Sequence, residues 1–199
     1  LIPLPVLADV RPAKFRRALL GTQIDLVVAQ PEQPGIAQAV EDAFDAVQRL
    51  ERQMSRFDRT STVSQINRLA GQASVDVSAE VMAVLQLAQR RARQTAGAFN
   101  PVLGQLTTQA DPGTAALTPD QRRQWVAHAG IEALELDTAR SRARLHDPLA
   151  RIDLGGVAKL YIMAAAMEHL DRAGLRGVLL NGGGDVMVSP RADGLPWRI

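Results

Sequence analysis

The segment RIDLGGVAK, residues 151–159, is followed by an amphipathic run and then by RGVLLNGGGD, residues 176–185. Each half carries a short apolar stretch that runs into a glycine-rich turn beside an acid, Asp153 in the first and Asp185 in the second. The spacing predicts a helix over 157–173 ended by Gly174, with short strands at 178–180 and 186–188. The first half also holds Lys159, one of only two lysines in the chain; Lys14 is the other. On this reading Lys159 falls in the first turn of its helix, where an ammonium works against the helix dipole. A ligand oxygen, above all a phosphate, would give such a lysine a reason.

Working outward, residues 16–29 read as a strand broken at Gly21-Thr22, with Ile24, Leu26 and Val28 alternating as a half-buried strand requires. Ile36, Val40, Phe44, Val47, Leu50 and Met54 are spaced by three or four, which makes one stripe on a helix over 36–54. A polar loop follows at 55–60, then a short helix at 62–69. Ser78 is placed to cap a helix over 79–95 that turns Val81, Val84, Leu85 and Ala88 inward. Gly97 ends it, and Asn100-Pro101 opens a loop. Residues 107–117 are small and polar and read as a mobile connection. Thr118-Pro119-Asp120-Gln121 is a capped helix start, with proline in the first helical position and Gln121 closing a capping box. That helix runs to Gly130. Residues 131–136 and 142–146 read as a hairpin. Trp197, Arg198 and Ile199 read as the start of a further strand.

Helices and strands are interspersed, strict β–α alternation is lacking, and one hairpin is clear. The expected class is therefore α+β, with mixed or antiparallel sheets packed with helices. At 199 residues the expectation is a single domain over 1–199. Hydrophobic residues make up 46% of the chain, and no apolar run approaches the length that spans a membrane. With no cysteine, disulfides and thiolate metal sites are excluded. Net charge is only +2, and the densest basic cluster, Arg90, Arg91 and Arg93, has no interleaved aromatics. A solvated helix face explains that cluster better than a nucleic-acid surface does. His128, His146 and His169 are scattered without metal-ligand spacing.

Taken as residues alone, Asp153 to Lys159 admits two readings. It is a phosphate-holding turn at a helix N-terminus, or it is an ordinary strand–turn–helix with its lysine in solvent. It is neither a Walker A loop nor G-x-G-x-x-G. Asn181-Gly-Gly-Gly-Asp185 either lets a flat ligand pass close to the backbone or is a hairpin turn with Asp185 as a turn residue. Phe57 and Phe99 sit in polar loops, as aromatic walls for a ring system or as plugs under those loops.

Five segments in order resemble the FAD:protein FMN transferase, or ApbE, family: LLGTQIDLVV (19–28), RLERQMSRFDRTSTVSQIN (49–67), GAFNPVLGQL (97–106), RIDLGGVAK (151–159) and LLNGGGDVMV (179–188), with PWRI at the end. The resemblance implies an α+β fold that binds FAD and, with Mg²⁺, transfers its FMN half to a threonine or serine hydroxyl of a target flavoprotein. Some relatives instead hydrolyse FAD to FMN and AMP. Carried over by position, Asp153 and Lys159 are expected as catalytic and FAD-contacting residues. Leu20, Phe57, Ala98, Phe99 and Asn100 are expected as further FAD contacts, and the Gly156 carbonyl as a Mg²⁺ ligand. The family has methionine where Leu20 stands, glycine where Leu160 stands, and aspartate where Ala164 stands. It also continues past Trp-Arg-Ile, with an aspartate and a threonine that complete the metal site. The expectation is thus a chain truncated at its C-terminus, one whose remainder sits on another chain, or a degenerate flavin-binding or scaffold member. An exported, periplasm-facing protein follows from the same resemblance, with a lipid anchor on a removed N-terminal segment.

Overall fold

The computed structural model describes residues 12–108, 117–191 and 193–198. Most of the loop expected at 107–117, and Ile199, lie outside them. The chain divides into two compact units. One holds residues up to Glu51 together with those from Lys159 onward; the other is Arg52–Ala158.

The first unit is built on a four-stranded antiparallel sheet in the order β1 (Ala13–Leu19), β2 (Thr22–Val28), β6 (Val178–Gly182), β7 (Asp185–Val188). The alternation expected of Ile24, Leu26 and Val28 holds, each being 1% exposed. The break read at Gly21-Thr22 is a two-residue hairpin, Leu20-Gly21, with φ of +56° and +66°. Positive φ at both positions matches the twist of the flanking strands. Leu20 accepts a conformation that is costly for a branched side chain. Helix α1 (Ile36–Met54) has the predicted bounds, and all six residues of its stripe are buried. A buried stripe of that kind stabilises by roughly 1.5–3 kcal/mol for each large side chain.

The second unit holds a three-stranded antiparallel sheet, β3 (Val75–Asp76), β5 (Arg142–Leu145), β4 (Leu134–Asp137). Around it run α2 (Thr62–Arg68), α3 (Ala79–Gln94), α4 (Gly104–Thr108) and α5 (Pro119–Ala127). The capping signals work as read. Ser78 Oγ accepts from Val81 N at 3.3 Å. Thr118 and Gln121 form the reciprocal capping box. Helix α5 ends at Ala127, three residues short of Gly130, and 131–133 form a turn of 3₁₀ helix, so the strand begins at Leu134. Residues 197–198 form no strand.

His128 Nδ1 lies 2.6 Å from Asp147 Oδ2 in this unit. Burial pushes the Asp147 carboxyl up, but hydrogen bonds from His128 and from the backbone of Leu149 and Ala150 outweigh it and hold the group below its usual value. A depressed carboxyl contributes stability above its unfolded pKa, about 4, and that contribution is lost as pH falls through the folded value. Asp147→Asn is therefore expected to cost about 1 kcal/mol at pH 7, with the gap from wild type narrower at pH 3. Urea unfolding at both pH values checks this; a gap that stays constant refutes it.

Helix α6 (Gly155–Arg172) starts two residues earlier than its spacing predicts. The reason is Asp153, whose Oδ1 accepts from Gly155 N at 2.8 Å and turns the chain into the helix. Glycine's poor intrinsic propensity is outweighed by that local bond. Lys159 is consequently the fifth residue of the helix rather than part of its first turn.

Candidate functional site

In the first unit the two glycine turns meet. Gly182 pairs with Asp185 across a two-residue hairpin, Gly183-Gly184, with φ of +62° and +100°. Because β2 and β6 are antiparallel neighbours with Ile24 opposite Gly182, this hairpin lies at the same end of the sheet as Leu20-Gly21. A Cβ on Gly183 would fall 2.5 Å from Thr22 Oγ1. A Cβ on Gly182 would fall 2.8 Å from Met163 Sδ, so α6 crosses that end. One turn before Met163, Lys159 Nζ lies 2.8 Å from Asp185 Oδ2, with the side chains 27% and 45% exposed. Asp185 is thus more than a turn residue: it is the partner that accounts for a lysine in the second turn of α6. Leu160 is exposed, as is Ala164.

The second unit places Asp153 at the centre of a network. Its Oδ2 accepts from Thr107 Oγ1 at 2.6 Å and pairs with Arg56 Nε at 2.9 Å, while Oδ1 holds Gly155 N. Both ion-pair side chains are about one-sixth exposed, at 15% and 17%. Neither Arg56, in a polar loop, nor Thr107, near the end of α4, stands out as a partner in the sequence, since each is far from residue 153. Phe57 is 72% exposed, so it plugs no core. The Arg56 guanidinium stacks 4.0 Å from its ring centroid. Phe99 lies against the start of α6, and a Cβ on Gly156 would fall 2.9 Å from its ring.

Ala98 is exposed, and Phe99 N donates to Thr95 Oγ1. The Asn100 side chain is engaged in the protein: Nδ2 donates to Ala129 O at 2.6 Å and Oδ1 accepts from Val102 N at 2.9 Å. Gly156 is the second residue of α6, so by helix geometry its carbonyl faces the N–H four residues on, with one lone pair to spare.

The donor set does not fit a Mg²⁺ site. Mg²⁺ wants near-octahedral oxygen ligands, and among the described residues no three His, Cys, Asp or Glu side chains come together to hold a metal. The carboxylate expected nearest to it, Asp153, already serves Arg56, Thr107 and Gly155. A lone helix carbonyl is a poor site for a divalent ion.

The sequence pattern of the ApbE family matches residues 20–199. The chain is 26% identical over 155 residues to a FAD:protein FMN transferase of Haemophilus influenzae, covering 73% of this chain and 45% of that one. It is 26% identical over 178 residues to a FAD:protein FMN transferase of Treponema pallidum, covering 81% and 49%. In three dimensions it resembles the flavin transferase ApbE from Vibrio cholerae, with a TM-score of 0.85 at 23% identity over 96% of this chain and 63% of that one. That last likeness is one of fold. The chain spans about half the length of the curated relatives it matches.

Proposed function

Since the chain belongs to the ApbE family, we propose that it binds FAD and serves transfer of the FMN half to a threonine or serine hydroxyl of a target flavoprotein. The observation that carries this reading is the convergence in the first unit. Segments distant in sequence bring Leu20, Thr22, the Gly183-Gly184 turn, Asp185 and Lys159 to one end of one sheet. A side-chain-free turn beside an ammonium suits a phosphate-bearing ligand, since backbone and cation both reach its oxygens. In the reaction the acceptor hydroxyl attacks the FMN phosphorus, the pyrophosphate bond breaks, and AMP leaves with the electron pair. The product is a phosphoester.

Phosphoryl transfer depends on positioning and charge neutralisation. Lys159 would supply charge at the transferring oxygens, with Asp185 holding its ammonium in place. Phe57, Ala98, Phe99, Asn100 and Leu20 remain proposed flavin contacts, each open to test singly. Mg²⁺ dependence belongs to the same proposal and needs ligands beyond those the described residues offer. Export to a periplasmic face, with a lipid anchor, follows the family resemblance; fractionation of the native host checks it.

The test mixes the protein with FAD, Mg²⁺ and a candidate flavoprotein and looks for covalent flavin by in-gel fluorescence. Absence of labelling, together with no FAD binding by calorimetry, would sink the reading. A second reading rests on Asp153, whose oxygens are engaged within the protein: a flavin-binding member without turnover. Tight FAD binding that is independent of metal and yields no product supports it. Release of FMN and AMP without labelling instead identifies FAD hydrolysis.

Lys159→Ala separates function from stability. The Lys159–Asp185 pair is partly exposed, and such pairs contribute only about 0–1 kcal/mol. The substitution is expected to leave the urea midpoint nearly unchanged and to weaken FAD binding about 10–100-fold, as loss of a charge-assisted contact does. Equal FAD affinity in the two proteins removes Lys159 from the site.

A further inference from the structure

We propose that a cavity wholly within the second unit, walled by Arg59, Arg68 and Arg151, binds a phosphate-type oxyanion. The cavity measures about 330 Å³, at the lower end of the range ligand pockets occupy, ~300–1,000 Å³. Four arginines line it, Arg56 being the fourth, and no described lining residue is acidic. Arg56 has its carboxylate in Asp153. Arg59, Arg68 and Arg151 have no carboxylate partner among the described residues, whereas Arg16, Arg142 and Arg176 elsewhere each sit against one. Three uncompensated cations gathered round one cavity raise the local potential and favour an anion. Guanidinium forks match the oxygens of phosphate better than those of a halide.

The wall is held in place before any ligand arrives. Asn67, on α2, donates from Nδ2 to Ile152 O at 2.9 Å and accepts Ile152 N at Oδ1 at 2.7 Å. These two hydrogen bonds fix the segment bearing Arg151 against the helix bearing Arg68. Arg151 is anchored at one end of its guanidinium, where Nη1 donates to the carbonyls of Pro148 and Ala150. Arg68 donates to the carbonyl of Arg59, tying the remaining two arginines together. Gly104 completes the arrangement: its N–H donates to Arg151 O at 2.8 Å, and a Cβ there would fall at the same distance from that oxygen. The guanidiniums of Arg68 and Arg151, held in this way, lose little freedom on binding.

None of these three arginines is among the residues that the family resemblance assigns to flavin. The inference therefore goes beyond the proposed function, and the two fail separately. The shared chemistry is a tetrahedral oxyanion, whether free phosphate or a phosphate monoester.

Titration with inorganic phosphate and, in parallel, methyl phosphate, followed by ³¹P NMR at constant ionic strength, tests the site. Saturable binding is expected, about tenfold weaker in Arg59→Gln and weaker again in Arg59→Gln/Arg68→Gln. The control is Arg122→Gln, an exposed site on α5 with the same change of charge; it is expected to bind as wild type does. The Arg59 guanidinium makes no hydrogen bond among the described residues, so the single variant keeps the fold, which circular dichroism verifies. Methyl phosphate binding as tightly as phosphate points to an esterified source, and weaker binding points to the free ion. Absence of saturable binding, or equal weakening in Arg59→Gln and Arg122→Gln, overturns the proposal.

Discussion

Gly177→Ala is expected to destabilise the protein by about 3 kcal/mol. Gly177 has φ of +60°, and a Cβ there would fall 2.6 Å from Ala29 O and 3.2 Å from Ala29 C. Both of those atoms are backbone, so no side chain can swing aside. The contact cannot simply open either, because Ala29 N donates to Gly177 O at 2.7 Å and Gly177 N donates to Pro190 O at 2.9 Å. Left-handed backbone costs alanine roughly 1 kcal/mol relative to glycine, and a forced overlap adds about 1–3 kcal/mol. Gly174→Ala is the comparison. Its φ is +79°, but no atom lies within 4 Å of the added carbon, so only the conformational part, about 1 kcal/mol, is expected. Urea midpoints at unchanged slope report both. Equal losses in the two variants would show that the approach to Ala29 carries no strain.

Asp153→Ala is expected to cost about 2–3 kcal/mol and, as the family resemblance places Asp153 among the FAD contacts, to weaken FAD binding. The stability loss follows from the network. The substitution removes the carboxylate beside Arg56, the acceptor for Thr107, and the bond that starts α6 at Gly155. Taking one member from a largely buried ion pair is far more costly than the pair's net worth, because the remaining charge loses its compensation. The pair here is about one-sixth exposed, which places the loss below that of a fully buried one. Asp153→Asn preserves volume but sets an NH₂ group against the Arg56 donor or the Gly155 N–H, and is expected to recover only part of the loss. Denaturation with and without FAD reads both effects. A stable Asp153→Ala protein that binds FAD as wild type does would remove Asp153 from both roles.

Elements whose cause is local were legible. The stripe from Ile36 to Met54 and the Thr118-Pro119-Gln121 start carry their structure in spacing and capping chemistry, and they fold as read. Elements defined by a distant partner were not. Val75–Asp76 is a strand only because it lies opposite Ala143 and Arg142. Helix α4 begins where Gly104 N meets the carbonyl of Arg151, a bond no local pattern announces. Helix α6 starts two residues before its spacing predicts because helix propensity disfavours Gly155-Gly156, while the Asp153 side chain overrides it.

The candidate site divides the same way. Asp153, Lys159 and the Gly182–Gly184 run are conspicuous in the sequence because a rare lysine and three consecutive glycines break its ordinary composition. Their partners were hidden. Arg56 reaches Asp153 from a loop and Thr107 from helix α4, and Asp185 meets Lys159 only because α6 crosses the end of β6.

The sequence by itself determined the α+β class, the helix stripes and caps, and the ordered segments that carry the family, because each rests on residues near one another along the chain. Tertiary structure alone decided which charges meet. It set Asp185 against Lys159 and Arg56 against Asp153, and it gathered Arg59, Arg68 and Arg151 round one cavity without a carboxylate partner among the described residues. Coulomb and hydrogen-bond energies depend on distances of a few ångströms in space, and separation along the chain does not encode them.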